Sequence, residues 1–435
     1  MSYDISRRAF LTAAVAAGSV ATILTKGSSA FAQDSESTTA PAVLKGAQQP
    51  LRIGVVGSGS RGTGAVMDCL ESSPDIKIAA IGDAFRDRVG GAKNKFRKEA
   101  PDSCAFTDET CFFGLDSYEK VLATDIDLVI LAAPPGFRPL HFEAAIAAGK
   151  HVFMEKPVAV DPVGIRKILE AAKLAKEKGL GVGAGTQRRH SKAYQGAIKR
   201  IQDGAIGDIV SAECYWMMEG LWSVDRTPKM SDVEWQMRNW LYFDWLSGDH
   251  IVEQHVHNLD VINWAMGEHP VKATGMGGRQ VRTEEKYGNI YDHFAVEYEY
   301  ANGMRLQSMA RQTPGAVHRV GERIVGTKGV SDPNGKIEGA NAWAHDFEGD
   351  PDKPYVQEHA NLIKSIREGN PINEGEAVAH STLTAIMGRM SAYTGRTISW
   401  DWVIKSSKLD LYPKDLEFGD LKVGDVPMAG KTPLV

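Results

Sequence analysis

The 435-residue chain has few cysteines: four, with no Cys-x-x-Cys pair. That excludes a fold held together by disulfides. It also lacks a basic surplus, since 50 Lys and Arg stand against 55 Asp and Glu. The charge footprint of a dedicated nucleic-acid binder is therefore missing. Its 44 glycines and 19 prolines follow no period, which excludes collagen-like repeats. Hydrophobic residues at 43% and charged residues at 24% lie near the globular average, so a disordered or fibrous chain is excluded too. The length suits two or three domains.

Near the N-terminus one uncharged run, Ala9 to Thr25, follows Arg7-Arg8 and ends at Lys26. It is too short and too rich in alanine for a stable membrane anchor. Ala30-Phe31-Ala32 reads as a small-x-small cleavage site. Ser6-Arg7-Arg8-Ala9-Phe10-Leu11 is similar to the twin-arginine export signal, with an ordinary secretory signal as the plainer alternative. The expectation is a leader over 1–32, a polar linker over 33–50 and a periplasmic or other extracytoplasmic location in a bacterium. An oxidising compartment permits a disulfide, yet Cys104 and Cys111 are expected as separate thiols.

The first motif of chemical interest begins at Leu51. Leu51 to Val56 is a short β-branched run that predicts a buried strand. It leads into Gly57-Ser58-Gly59-Ser60-Arg61-Gly62, and a helix is predicted from Thr63 to Leu70. In this setting Gly-x-Gly-x-x-Gly is a dinucleotide-binding turn. Gly57 allows the tight turn, Gly59 a close approach to a pyrophosphate, and Gly62 helix-on-strand packing, with Ser60 and Arg61 between them. A second strand, Ile76 to Ile81, leads to Asp83, about 20 residues beyond Gly62, where a carboxylate meets the ribose hydroxyls of NAD. Arg86 and Arg88 follow and leave NADP open.

Further strands are predicted at Asp127 to Ala133 and His151 to Met154, with a helix from His141 to Ala148 between them. Strands alternating with helices give a parallel sheet with ligands beyond the strand C-termini. Pro134, His141, Glu155 and Lys156 then belong to the cofactor side. Taken alone, Lys156 reads as a solvated strand-end lysine.

Past Gly183 the pattern changes. His293 to Tyr300 and Met304 to Arg311 flank Ala301-Asn302-Gly303, a hairpin signal that points to a separate domain with antiparallel strands. A helix is predicted over the segment from His250 to Trp264, ended by Gly267. It would set His250, Glu253, His257 and Asp260 on one face. Such a face could be solvated, could bind a metal through His250, Glu253 and His257, or could hold an acid/base pair of His257 and Glu253. Gln187 and Arg188, after a strand at Gly181 to Gly185, are either a charged loop or a substrate rim. Trp216, Trp222, Trp235, Trp240 and Trp245 read as core packing rather than sugar-stacking surfaces. A last helix is predicted from Glu376 to Tyr393, with an aperiodic tail after it that wraps the body or a neighbouring subunit.

The glycine motif, the run AAPPGFRPLHFEAAIAAGKHVFMEKP and the Glu155-Lys156-Pro157 triplet resemble the Gfo/Idh/MocA oxidoreductases. The resemblance implies a Rossmann domain at 51–183, an α+β substrate domain with an open, mainly antiparallel sheet at 184–400, and an extension at 401–435. It implies that Lys156 contacts the nicotinamide and the reacting hydroxyl. It also favours the acid/base reading of His257, and it implies a homo-oligomer. Family members carry Asp-x-Gly-x-His-x-x-Asp where this chain has Glu253-Gln254-His255-Val256-His257-Asn258-Leu259-Asp260, so Glu replaces Asp and His replaces Gly. Catalysis is expected from Lys156, His257 and Glu253, and substrate contact from Lys156, Gln187, Arg188 and His257, with no metal.

The expected activity is NAD(P)-dependent hydride transfer at the CH–OH group of a sugar. An exported enzyme lacks a cytosolic NAD pool, so a tightly held, internally recycled cofactor is expected, as in the glucose–fructose oxidoreductase branch. Alternatives are a glycosidase, lyase or epimerase using transient oxidation, a non-catalytic binding protein, and a metal-dependent hydrolase.

Overall fold

A computed structural model describes residues 50–435. The leader and nearly all of the linker lie outside these residues. From Leu51 to Ala184 strands and helices alternate: β1 (Leu51–Val56), α1 (Ser60–Ser72), β2 (Ile76–Asp83), α2 (Arg86–Glu99), β3 (Cys111–Phe113), α3 (Ser117–Leu122), β4 (Leu128–Leu131), α4 (Arg138–Ala147), β5 (His151–Met154), α5 (Pro162–Glu177) and β6 (Val182–Ala184). The strands form one parallel sheet in the order β3-β2-β1-β4-β5-β6. The chain reverses direction across the sheet between β1 and β4, and ligands bind at such a switch point. Buried apolar runs make these strands. Ile53, Ile78, Val129, Ile130, Val152 and Phe153 are wholly inaccessible, as a sheet covered on both faces requires.

The second half contributes α6 (Lys192–Gln202), β7 (Ile209–Met218), α7 (Asp232–Arg238), α8 (Asp244–Ser247), α9 (His250–Glu253), α10 (Val256–Met266), β8 (Lys272–Gly278), β9 (His293–Glu299), β10 (Arg305–Gln312), β11 (Arg319–Gly326), β12 (Gly329–Asp332), β13 (Lys336–Gly339) and β14 (Trp343–Ala344). It closes with α11 (Pro354–Arg367), α12 (Gly375–Thr394), β15 (Ile398–Ser399) and α13 (Trp400–Lys405). Its nine-stranded sheet runs β14-β13-β12-β11-β7-β10-β9-β8-β15. All its pairs are antiparallel except β10 with β7. The hairpin β9–β10 turns at Ala301-Asn302-Gly303, with Gly303 at φ +86. In β9 and β10 buried and more exposed residues alternate, as expected of a sheet with one open face.

Two segments tie the halves together. Helix α11 returns to the first half, where Leu362, Ile363 and Ile366 enter the same apolar cluster as Ile53, Ile78 and Phe153. Helix α12 is buried along most of its length and packs on α5, α10 and β8. The tail wraps the body: Leu411 N–H bonds Asp161 at 2.8 Å, and Tyr291 donates to the carbonyl of Pro427 at 2.9 Å. Cys69, Cys104, Cys111 and Cys214 are free thiols. Among the described residues no helix is long and apolar enough to cross a membrane.

The expected continuous helix through His250 and His257 is broken. Helix α9 ends at Glu253 and α10 starts at Val256. The two residues between them are drawn toward β10. His255 Nε2 lies 2.7 Å from Ser308 Oγ, and Gln254 pairs with Gln312. Hydrogen bonds available to buried side chains outweigh helix continuity here. The four polar residues therefore do not share a face.

Candidate active site

The loop between β1 and α1 is shaped by what cannot fit in it. Gly57 adopts φ +88, and a Cβ there would lie 2.3 Å from the Ala133 nitrogen. A Cβ on Gly62 would lie 1.8 Å from the Gly57 carbonyl oxygen. Helix α1 has Gly59 as its N-cap and no side-chain cap, so its first N–H groups are free for an anion. Asp83, at the end of β2, accepts N–H bonds from Ser58 (2.7 Å) and Phe85 (3.0 Å). Burial pushes its carboxyl up while those bonds and Arg88 pull it down.

From this loop a cavity of about 570 Å³ runs to the ends of β4, β5 and β6. Gly57, Gly59, Ser60, Arg61, Gly62, Asp83, Pro134, His141, Glu155, Lys156, Gln187, Glu253 and His257 all line it. The cradle, the free helix end and the placed carboxylate fit a dinucleotide.

At the far end Lys156 Nζ lies 3.0 Å from Glu253 Oε1 and also donates to the Glu253 main-chain carbonyl. His257 enters from the first turn of α10, with Trp216 stacked at 5.8 Å. Burial, then Lys156 and Arg188, hold its imidazole well below the usual range, so it stands neutral and able to take a proton. His141, stacked 4.4 Å from Tyr118, is pushed down to about 3 by burial and is neutral as well. Arg138 is fully buried and ties the exits of β4 and β5 through the carbonyls of Ala133 (2.6 Å) and Glu155 (3.1 Å).

Several expectations need correction. Arg188 does not line the cavity; it pairs with buried Glu322, beside Trp216. His250 is buried against Phe294, and Asp260 is held by Arg189 (2.8 Å) and Ser381 (2.7 Å). Arg86 lies over Phe113 at 3.8 Å, so Arg88 alone of that pair reaches the cavity. Among the described residues no cluster of His, Cys, Asp or Glu is arranged to hold a metal. The tryptophans divide: Trp235 and Trp245 are buried, whereas Trp222 and Trp240 line the cavity.

Sequence reasoning missed Tyr355, at the start of α11. Its hydroxyl accepts from Gln187 at 3.1 Å, and Arg61 lies 5.1 Å above its ring. Arg61 also meets Glu155 at 2.8 Å and Asp68 at 2.8 Å. No local signal marks Tyr355, which reaches the loop from about three hundred residues away.

Residues 51–185 match the family described as oxidoreductase family, NAD-binding Rossmann fold, and residues 194–331 match the GFO/IDH/MocA C-terminal domain. The chain belongs to the Gfo/Idh/MocA oxidoreductase family. Its first half is thus an NAD-binding Rossmann domain. Among relatives, the chain is 25% identical over 259 residues to an inositol 2-dehydrogenase of Serratia proteamaculans, covering 59% of this chain and 66% of that protein. It is 31% identical over 181 residues to 2,7-anhydro-N-acetylneuraminate hydratase of Escherichia coli, covering 41% and 44%. The chain spans about half to two thirds of the length of the curated relatives it matches. An aldose–aldose oxidoreductase from Caulobacter crescentus shares the fold, with a TM-score of 0.63 at 19% identity over 81% of this chain and 100% of the other.

Proposed function

We propose that this Gfo/Idh/MocA protein is an NAD-dependent oxidoreductase acting at a CH–OH group of a sugar or polyol. The observation that carries this is a single cavity with the glycine loop and Asp83 at one end and Lys156, Glu253 and neutral His257 at the other. The relatives named for inositol and aldose support the substrate class.

Bound NAD supplies the hydride acceptor. The chain's own residues handle the proton and the oxygen. A hydroxyl placed between Lys156 and His257 gives its proton to the imidazole. The Lys156 ammonium holds the oxygen as negative charge develops on it, and Glu253 fixes that ammonium in place. In the reverse direction His257 returns the proton to the new alkoxide.

A second reading, in which oxidation is transient and the hydride returns to the product, is favoured by the hydratase relative. We also place the protein outside the cytoplasm, on the strength of Arg7-Arg8 and the uncharged run after it. A resident cofactor that is recycled within the site suits such a location.

The test is to purify the full chain without added nucleotide, denature it, and identify what is released by absorbance and mass. The native protein is then offered a panel of sugars and polyols while absorbance at the NADH band is followed. Stoichiometric NAD(H) and substrate-dependent reduction are the expected results. A protein that neither carries nor binds nicotinamide nucleotide would overturn the proposal. Fractionating cells between cytoplasm and periplasm tests the location.

A further inference from the structure

The function proposed above leaves one wall of the cavity unexplained. Asp83 marks where ribose hydroxyls meet the protein, so the adenosine portion lies against the loop that follows β2. That loop is covered by the second half of the chain. Arg238, the last residue of α7, forms a two-pronged pair with Asp87, Nη2 to Oδ1 at 2.9 Å and Nη1 to Oδ2 at 3.1 Å. Its guanidinium also lies 4.0 Å from the centre of the Phe85 ring. Ala84 and Phe85 pack in one apolar cluster with Met237, Trp240 and Leu241. Met237, Arg238 and Trp240 line the cavity together with Asp83, Phe85 and Arg88.

The tail holds α7 from behind. Val233 N–H bonds the Gly419 carbonyl at 3.1 Å, Gln236 Nε2 the Leu421 carbonyl at 2.6 Å, and Leu421 N–H bonds Asp232 at 3.0 Å. Phe418 of the same tail reaches the Phe85 ring at 5.9 Å. A separate part of the chain therefore closes over the adenosine end, held by one ion pair and by apolar packing around Phe85.

We propose that Met237, Arg238 and Trp240 form the outer wall of the adenosine subsite, and that the Arg238–Asp87–Phe85 latch keeps the dinucleotide in place between turnovers. The inference rests on the cavity being the NAD site. Its consequence is slow exchange: nucleotide leaves only when the latch opens. The Arg238 side chain is 19% exposed and Asp87 is 62% exposed, so the latch can open without breaking the core.

The test is a chase. Full-length protein is loaded with NADH, mixed with a large excess of NAD, and followed by energy transfer from tryptophan to NADH. Asp87→Ala and Arg238→Ala are compared with the unsubstituted chain, and Arg238→Lys keeps the charge without the fork. Slow release from the unsubstituted chain, at least tenfold faster release from both alanine variants and an intermediate rate for the lysine variant are expected. Asp87 is a surface residue, so its variant keeps the experiment decisive should Arg238→Ala fold poorly. Equal release rates with saturable NADH binding would overturn the latch and leave the proposed function standing. An unsubstituted chain that binds no NADH would overturn both.

Discussion

The two ends of the cavity are built from different materials. The nucleotide end is mostly backbone: the Gly57–Gly62 turn, the first N–H groups of α1, and a carboxylate whose position is set by the N–H groups of Ser58 and Phe85. The reactive end is mostly side chain, with Lys156 just after β5, Glu253 from α9 and His257 from α10. A backbone site tolerates little change in shape, because adding a single carbon blocks it. A side-chain site tolerates changes in shape but not in chemistry. Substitutions at the two ends should therefore separate binding from turnover.

The largest expected effect is at the reactive end. Lys156→Ala removes the cation that faces the reacting oxygen, and kcat should fall about 10³-fold, roughly 4 kcal/mol of barrier. The dissociation constant for NADH, read by fluorescence titration, should stay within about threefold. Equal losses in both would show that Lys156 serves nucleotide binding rather than the reaction.

Gly62→Val sharpens the same contrast from the other side. Its Cβ would sit 1.8 Å from the Gly57 carbonyl, so the turn must open. Nucleotide affinity should drop about 100-fold, since the helix end and the turn no longer meet the phosphates together. Thermal unfolding should also move down by several degrees. Unchanged affinity would mean that the turn is structural only.

The same difference in materials explains what could be read in advance. The nucleotide end lies in one stretch from Leu51 to Asp83, where strand, turn, helix, strand and carboxylate follow in order, and each was legible. The end of β5 gave Lys156 for the same reason. The rest of the reactive end was half legible. His257 and Glu253 stood out by residue type, but the helix break that separates His257 from Glu253 and His250 depends on Ser308 and Gln312, about fifty residues further on. Arg188 looked available until its partner Glu322 arrived from β11. Tyr355, Met237 and Arg238 reach the cavity through contacts that no local pattern encodes.

A smaller effect concerns the acid limb of catalysis. A base that must be neutral loses activity when it protonates. His257 is held well below 6.5 by burial, Lys156 and Arg188. The acid limb of kcat/KM should therefore lie clearly below pH 6.5 and not at the ordinary histidine position. In Lys156→Met, residual activity should show this limb moved upward, because one of the charges opposing protonation is gone. A limb that stays in place would show that burial and Arg188 set it without Lys156.

The last effect lies behind the reactive end and reads out in stability, not in turnover. Asp249 caps α9, the turn that carries Glu253, with a positive φ of +72. Its carboxylate accepts from Tyr393 (2.6 Å), Tyr291 N–H (2.8 Å) and His250 N–H (2.5 Å). Complete burial outweighs these bonds and pushes its carboxyl up to about 7. The folded protein thus holds this proton more tightly than the unfolded chain, whose aspartate titrates near 4. The resulting stability is fully present below about pH 4 and is lost as pH rises through about 7. At most it amounts to about 1.4 kcal/mol per pH unit in that window. Asp249→Asn removes the titration. Urea unfolding from pH 4 to 8 should give a flatter curve for the variant, with the gap between the two chains narrowing or reversing as pH rises. Parallel curves would mean that this carboxylate ionises at its ordinary pH, and that the hydrogen bonds from Tyr393 and the two N–H groups fully offset its burial.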